Sequence, residues 1–527
     1  MNSKTFQYLL VAAMAAVTVP VAAQETYQDT KLIGNDLNGT ARYVGMGGAM
    51  EALGADISTI SSNPAGLALF RKGQVTLSAG VVSQAEADTK PSFGGISAYI
   101  NGDKTNLSFD QVGVVWPLRS GRNSYLNFGF NYHKSRNFDQ ILNAAGNLSN
   151  ASQNKLSAIK YAAGVGDLAW NAVDANYEQI LSGTGDDGSR FMDYYNGSAY
   201  LFGQYQKGYI GAYDFSISGS IGDRVYLGVT MGVHDVNYRS NSYYTENLSN
   251  AASSTWESIS ESWENVKIDG TGVDVKVGAI FRPVEESPFR IGVYVNSPVF
   301  YDLTLRSTSD LLMADNNGGS SSCGQSATYD FKVYTPWKFG LSLGHTVGGN
   351  VALGATYEYS DYGSMDNRII DGGYFDAWYG DYYDTSSSDR VMNDHTKRTL
   401  KGVHTLKLGM EVKPIKPLAL RVGYNYLSSA FEEDGFRDGS LESPGVAYAT
   451  STDYTNWKST NRFTLGLGYQ VGKLSVDFAY QYSQTNGDFY PFMSYDGDRN
   501  PEYNNVVSAA AVTHKRHQAL VTLGYRF

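Results

Sequence analysis

The 527-residue sequence contains one cysteine, Cys323, and only thirteen prolines. A lone thiol makes no intrachain disulfide, and its Gly/Ser surroundings, "NNGGSSSCGQS", predict an exposed loop position. Beyond the N-terminus there is no stretch of the roughly 18 apolar residues that a membrane helix needs. Mean hydropathy is negative. Helical membrane proteins and disulfide-stapled scaffolds are therefore excluded.

The one clearly apolar run is at the start. Lys4 precedes "YLLVAAMAAVTVPVAA", the layout of a signal peptide with its expected cut after Ala23. Removing residues 1–23 deletes only Lys4 among the charges, moving the formal net charge from −11 to −12. No cysteine follows the run, so no lipoprotein anchor is expected.

Tyrosine (40) and glycine (57) are abundant in what remains. Alternation is clean across the chain. In "GVDVKVGAIFR", Val273, Val275, Val277, Ala279 and Phe281 share one face, while Asp274, Lys276 and Gly278 share the other. "LALRVGYNY", "FTLGLGYQV" and "LSVDFAYQY" repeat the scheme. Period two places one apolar face against lipid or a second sheet and the polar face elsewhere.

Fourteen strands are predicted, near 74–84, 107–118, 123–134, 212–221, 224–238, 271–282, 288–306, 327–347, 350–362, 400–413, 417–430, 460–471, 473–484 and 514–527. Connections after even strands are tight ("RSGR", "GD", "PVEES", "GG", "PIK", "G"), and those after odd strands are long, Ser135–Gly211 most of all. Alternating short and long connections match the periplasmic turns and extracellular loops of an outer-membrane barrel; a soluble sandwich has no reason to keep that rhythm. An open sheet is excluded in lipid, which cannot satisfy edge N–H and C=O groups. The final strand, "HQALVTLGYRF", ends in Phe527, resembling the signal read by the barrel-assembly machinery.

Residues 24–73 lack this alternation. They are rich in small residues, "ARYVGMGGAMEALGAD" followed by "ISTISSNPAGLALF". Gly45, Gly47 and Gly48 permit close backbone approach, and Pro64 biases Asn63 away from helix. The expectation is a self-bonded plug inside the lumen. "VGMGGAM" lacks the full dinucleotide-binding glycine spacing and a strand–helix unit around it, so nucleotide binding is discounted.

The stretch "RYVGMGGAMEALGADISTISSNPAGLALF" resembles the N-terminal hatch of the long-chain fatty-acid transporter family of outer-membrane proteins (FadL/TodX type). The glycine-rich approach, Asp56 and Asn63-Pro64-Ala65 carry the likeness. "RIGVYVNSPVFYDLTL", "YTPWKFGLSLGHTV" and "VALGATYEYSDYG" look like paired-strand segments of the same family. The resemblance implies a monomeric transmembrane antiparallel β-barrel of fourteen strands over 74–527, plugged by a hatch over 24–73. It also implies passive uptake of hydrophobic small molecules, such as long-chain fatty acids, with lateral release into outer-membrane lipid past the lipopolysaccharide leaflet.

Further sites are weighed against plainer roles. Trp170, Val173, Tyr177 and Ile180 recur at helical spacing, as a ligand-capture surface or as a loop helix packed on its rim. Tyr374, Phe375, Trp378, Tyr379, Tyr382 and Tyr383 form an aromatic, acidic segment suited to an interfacial girdle or a ligand entrance. Gly129 is the candidate kink for a lateral opening. His514 and His517, three apart on a strand, face opposite sides and make no metal pair. No cofactor, metal, nucleic-acid partner or catalytic arrangement is expected. Two alternatives stay open: a FadL-like shuttle serving a secretion system, and a general porin.

Overall fold

A computed structural model describes residues 25–121, 123–164, 170–249, 257–315, 317–378, 380–437, 452–496 and 503–527. The expected signal peptide and Tyr379 lie outside these.

Fourteen antiparallel wall strands close on themselves. They are β1 (Gln74–Ala85), β2 (Thr105–Arg119), β3 (Tyr125–Asn137, continuing as Gln140–Ala151), β4 (Asn196–Ile221), β5 (Val225–Ser249), β6 (Glu257–Phe281) and β7 (Arg290–Asn296 and Phe300–Asp315). The circuit continues with β8 (Ser320–Tyr334 and Lys338–Val347), β9 (Val351–Asp361 and Asp366–Asp376), β10 (Asp381–Ser388 and Gly402–Ile415), β11 (Leu418–Leu427), β12 (Tyr454–Val471), β13 (Leu474–Tyr490) and β14 (Ala510–Arg526). β1 pairs with β14 from Gln74↔Arg526 to Ala85↔Lys515, so the ladder has no free edge there.

The distribution of polarity is the reverse of a soluble protein's. Leu227, Val229 and Met231 on β5, Val273, Val275 and Val277 on β6, and Leu465 and Leu467 on β12 are exposed. Their alternate neighbours, including Thr230, Asp274, Lys276 and Thr464, are buried. An apolar belt outside and a polar lining inside define a membrane-spanning barrel.

Several strands run well past their predicted ends on the long-loop side. β3 and β4 extend into what reads as the loop Ser135–Gly211, and β5–β6, β7–β8 and β9–β10 close with few connecting residues. The physical reason is a change of phase. On β5, outward Leu227, Val229, Met231 and Val233 give way to outward Asp235, Asn237 and Arg239, while Val236 and Tyr238 turn inward and are buried. On β7, Tyr301, Leu303 and Leu305 are likewise buried and Asp302 and Arg306 exposed. Above the belt the wall meets water, so the apolar face swaps sides and the lumen turns greasy. Cys323 sits on such an extension rather than in a loop; its thiol donates to the Asn176 carbonyl at 3.3 Å.

Residues 25–73 are almost wholly buried against inward-facing wall positions. Short helices α1 (Thr26–Ile33) and α2 (Ala41–Gly45) are followed by two 3₁₀ turns, Ile57–Ser61 and Pro64–Leu69. Glycines in ten of the wall strands leave room for them. A methyl group at Gly278 would strike the Asn63 side chain, at Gly228 the Pro64 backbone, and at Gly354 the Ala49 carbonyl. Glycine on a strand's inner face therefore marks close passage of another backbone.

Filling these notches tests the packing. Gly278→Val and Gly354→Val each overpack the interior by about 1–3 kcal/mol. The expected result is a barrel that still shows a heat-dependent shift in gel mobility but whose segment 25–73 becomes open to limited trypsin digestion. Unchanged resistance would contradict the steric reading.

Candidate functional site

The interior is layered. At the level of the apolar belt, the N-terminal segment is tied to the wall by ion pairs and hydrogen bonds. Lys407 Nζ bridges Glu51 (2.9 Å) and Glu358 (3.0 Å), and Thr356 donates to Glu51 at 2.8 Å. Arg42 and Arg421 share Glu411 at 3.2 and 2.7 Å. Ser61 donates to Asp214 at 2.7 Å, and Lys276 sits 2.8 Å from the same carboxylate. Buried charges of this kind persist because each finds a partner.

The residues singled out in sequence hold this segment in shape. Asp56 caps the first 3₁₀ turn through Ser58 N and accepts from Thr40 Oγ1 at 2.8 Å. Asn63 caps the second, accepting from Ala65 N and donating to the Glu51 carbonyl, both at 3.1 Å. Pro64 opens that turn, where a missing N–H costs nothing. Gly45 lies against Gly466 of β12. Gly47 (φ +63°) and Gly48 (φ +79°) adopt left-handed backbone, which reverses the chain beside β10 and β11.

Above this layer, α1 fills the apolar part of the lumen. Leu32 and Ile33 pack with Ile210, Val236, Ile268 and Leu303. Tyr27 stacks on Phe431 at 4.9 Å and donates to Asn456 at 2.6 Å. Glu25 caps the helix and pairs with Arg437 at 3.4 Å. Thr26 Oγ1 lies 2.9 Å from His395 Nδ1 on helix α4 (Arg390–Thr399), which interrupts β10.

Between α1 and the wall lies a cavity of about 260 Å³. Its lining mixes apolar and aromatic residues (Tyr27, Phe138, Leu142, Phe431) with the cations Arg136, Arg462 and Arg516 and with carboxylates, Asp36 among them. Burial alone would raise the Asp36 pKa, but Arg516, Arg136 and Arg462 bring it down to about 2. Such a lining offers an amphiphile both greasy contact and cations. Sequence reasoning missed these arginines. Their signal was present, since Arg462 and Arg516 alternate with outward Phe463 and His517 on otherwise ordinary wall strands.

The wall has a seam. β2 and β3 pair only from Gln111↔His133 to Arg119↔Tyr125, although β2 continues to Thr105 and β3 to Ala151. Past His133 side chains replace the ladder: Lys134 Nζ donates to Ser108 Oγ at 2.8 Å. Asn38 Nδ2, from the N-terminal segment, bridges Asp110 and the Lys134 carbonyl, each at 3.0 Å. Leu107 and Phe109 are exposed at its lipid side.

One expectation needs correction. Gly129 is no kink: it pairs regularly with Val115 and Ser216, and its missing side chain makes room for Leu67. The β3 backbone instead breaks at Phe138–Asp139, between its two ladders. The stripe on α3 (Ala172–Leu181) is a packing face, with Val173 and Tyr177 buried among Leu248, Leu311 and Met313. Tyr177 also bonds Ser260 at 2.7 Å; only Trp170 and Ile180 stay partly open. Of the aromatic segment, Tyr374, Phe375, Trp378, Tyr382 and Tyr383 stand exposed on the β9–β10 hairpin. His514 lines the cavity while His517 meets Tyr480.

A closed membrane barrel threaded by its own N-terminal segment is thus the class of protein present. Comparison with solved structures assigns its fold to the FadL type. A Pseudomonas aeruginosa FadL homologue aligns with TM-score 0.52 and 14% identity over 94% of this chain and 99% of that one. The Ralstonia pickettii toluene transporter TbuX and the P. putida toluene transporter TodX each align at TM-score 0.46 and 13% identity, over 93% of this chain and 99% of theirs. No protein-family model and no curated protein matches the sequence.

The α1 anchor should be pH-dependent. Burial, then Arg398, lowers the His395 pKa from 6.5 to about 4. A histidine held neutral contributes no pH dependence above 6.5; below it the released state gains a proton that the docked state refuses. The His395 contribution to docking therefore weakens from pH 6.5 down to about 4, by about 3 kcal/mol in full, while Glu25 and Asp29 at α1, whose carboxyls burial pushes up, act in the opposite sense. The protection of α1 amides, relative to their intrinsic exchange rate at each pH, should fall more on acidification in wild type than in His395→Gln; an equal change in both would refute the assignment.

Proposed function

We propose that this protein is an outer-membrane channel for passive uptake of hydrophobic compounds, gated by residues 25–73 as a hatch and discharging sideways into the bilayer. The observation that carries the reading is the seam between β2 and β3, where a lipid-facing wall lacks its ladder and is closed by side chains and the hatch residue Asn38. The FadL-type fold supports it.

The path follows from the layers. A solute reaching the greasy upper lumen meets α1 and the arginine-lined cavity. An acidic end fits the cations, and an apolar tail fits Phe138, Leu142 and Phe431. Displacing Asn38 frees both Asp110 and the Lys134 carbonyl, opening the seam toward Leu107, Phe109 and the acyl chains. Such a route avoids carrying an apolar solute through a water-filled bore, and it needs no energy source beyond the solute's own partition into lipid. Asn63, Pro64, Gly47 and Gly48 keep the hatch in register.

A general porin is disfavoured by the filled interior. The shuttle reading is favoured by one feature, the exposed aromatic residues of the β9–β10 hairpin. Stoichiometric co-purification with secreted proteins would support it.

Two experiments test the channel reading. Asn63→Ala removes a cap and a tie to Glu51, worth about 1–2 kcal/mol, and should change the uptake rate of a labelled fatty acid severalfold at normal barrel insertion. Joining Ser108→Cys to Lys134→Cys with a thiol crosslinker, in a Cys323→Ser background, should stop delivery to the membrane while ligand still binds the purified barrel. Undiminished delivery from the crosslinked protein would sink the lateral route.

A further inference from the structure

The outer wall above the apolar belt carries a row of four cations in direct cross-strand register. Lys207 on β4 faces Arg239 on β5, Arg239 faces Lys267 on β6, and Lys267 faces Arg306 on β7. All four line one concavity of about 810 Å³ on the barrel's exterior, flanked by Asn241 and Thr308. Like charges set directly opposite on neighbouring strands repel, and here three such pairs follow one another. The only carboxylate paired with the row among the described residues is Asp269, 2.6 Å from Lys267 and 3.1 Å from Arg306. Lys207 and Arg239 are exposed and have no ion-pair partner among the described residues. The arrangement is short of anions.

Its height identifies which anion. The apolar face of β5 ends at Val233, six residues before Arg239. At about 3.3 Å per residue and a tilt near 40°, the row stands roughly 15 Å above the edge of the hydrocarbon. A phospholipid head-group layer is only about 5–8 Å deep, so these side chains must reach downward merely to touch it. A glycolipid whose phosphates and carboxylates are carried on several sugars spans that height, and the amide of Asn241 and hydroxyl of Thr308 suit its sugars.

We propose that Lys207, Arg239, Lys267 and Arg306 form a binding site for the anionic groups of the outer-leaflet lipopolysaccharide, holding one glycolipid against the β4–β7 wall. The inference rests on this wall standing in an outer membrane, but it is independent of what the lumen carries.

The test uses the full-length barrel in non-ionic detergent, with purified lipopolysaccharide retained per barrel measured by native mass spectrometry. Lys207→Glu/Arg239→Glu should lower retention about tenfold or more. Lys416→Glu, a reversal at an exposed turn at the other end of the barrel, should leave it unchanged. Lys207→Gln/Arg239→Gln serves if the reversal fails to give a heat-modifiable barrel. Inorganic phosphate at millimolar concentration and phosphatidylglycerol vesicles should compete poorly. Equal retention by wild type and the double variant, or equally strong binding of phosphatidylglycerol, would overturn the site. Fatty-acid uptake in the same variants separates the two readings. Lost glycolipid with intact uptake supports the site alone, and retained glycolipid with no uptake in wild type removes the channel instead.

Discussion

Backbone hydrogen bonding in lipid is the constraint on which this structure depends. Each N–H and C=O within the belt must find a partner in the protein, and the pairing of β1 with β14 meets that demand by abolishing the edge. Closure in turn creates a hollow, and the rest of the architecture answers the question of what occupies it. Inward glycines, buried ion pairs and the two 3₁₀ turns of residues 25–73 fit together as one solution. Where the ladder lapses, between β2 and β3, substitute bonds appear at once: Lys134 to Ser108, and Asn38 to both sides. The lapse is therefore a built feature rather than loose packing.

A second principle organises the barrel along its axis. Within the belt the apolar phase points out; above it the same strands keep their period and exchange faces. The exchange moves the greasy surface from Leu227 and Val229 to Val236 and Tyr238 without any break in β5. The upper lumen is in effect a soluble protein's core, with α1 as its central element, standing on top of a membrane protein's polar lining.

Much of the fold was legible in the sequence, because period-two alternation and the tight turns are local signals. All fourteen strands were found at their turn ends, where lipid imposes the alternation most strictly. Their far ends were misjudged: a strand whose apolar phase inverts midway, as on β6 between outward Val273 and inward Ile268, reads as a strand next to a loop. The Asn63-Pro64-Ala65 turn was legible for the same local reason. The arginine-lined cavity was not, since Arg136, Arg462 and Arg516 come from β3, β12 and β14 and meet only after closure. Gly129 misled because a notch for Leu67 and a kink call for the same residue. The Val173–Tyr177 stripe left two readings open because an amphipathic face does not say what it packs against.

The segment that fills the hollow precedes β1 in the chain, and its first helix lies at the upper end while Gly73 emerges at the lower, its carbonyl bonded to Phe527 N at 3.0 Å. Threading a finished cylinder would drag charged Arg42 and Glu51 past wall notches matched to other residues. Curling an open sheet around an already seated segment avoids that passage. The β1–β14 junction then becomes the last to zip, and the glycine-lined inner surface serves as a mould whose contents set the curvature at which the ring meets itself.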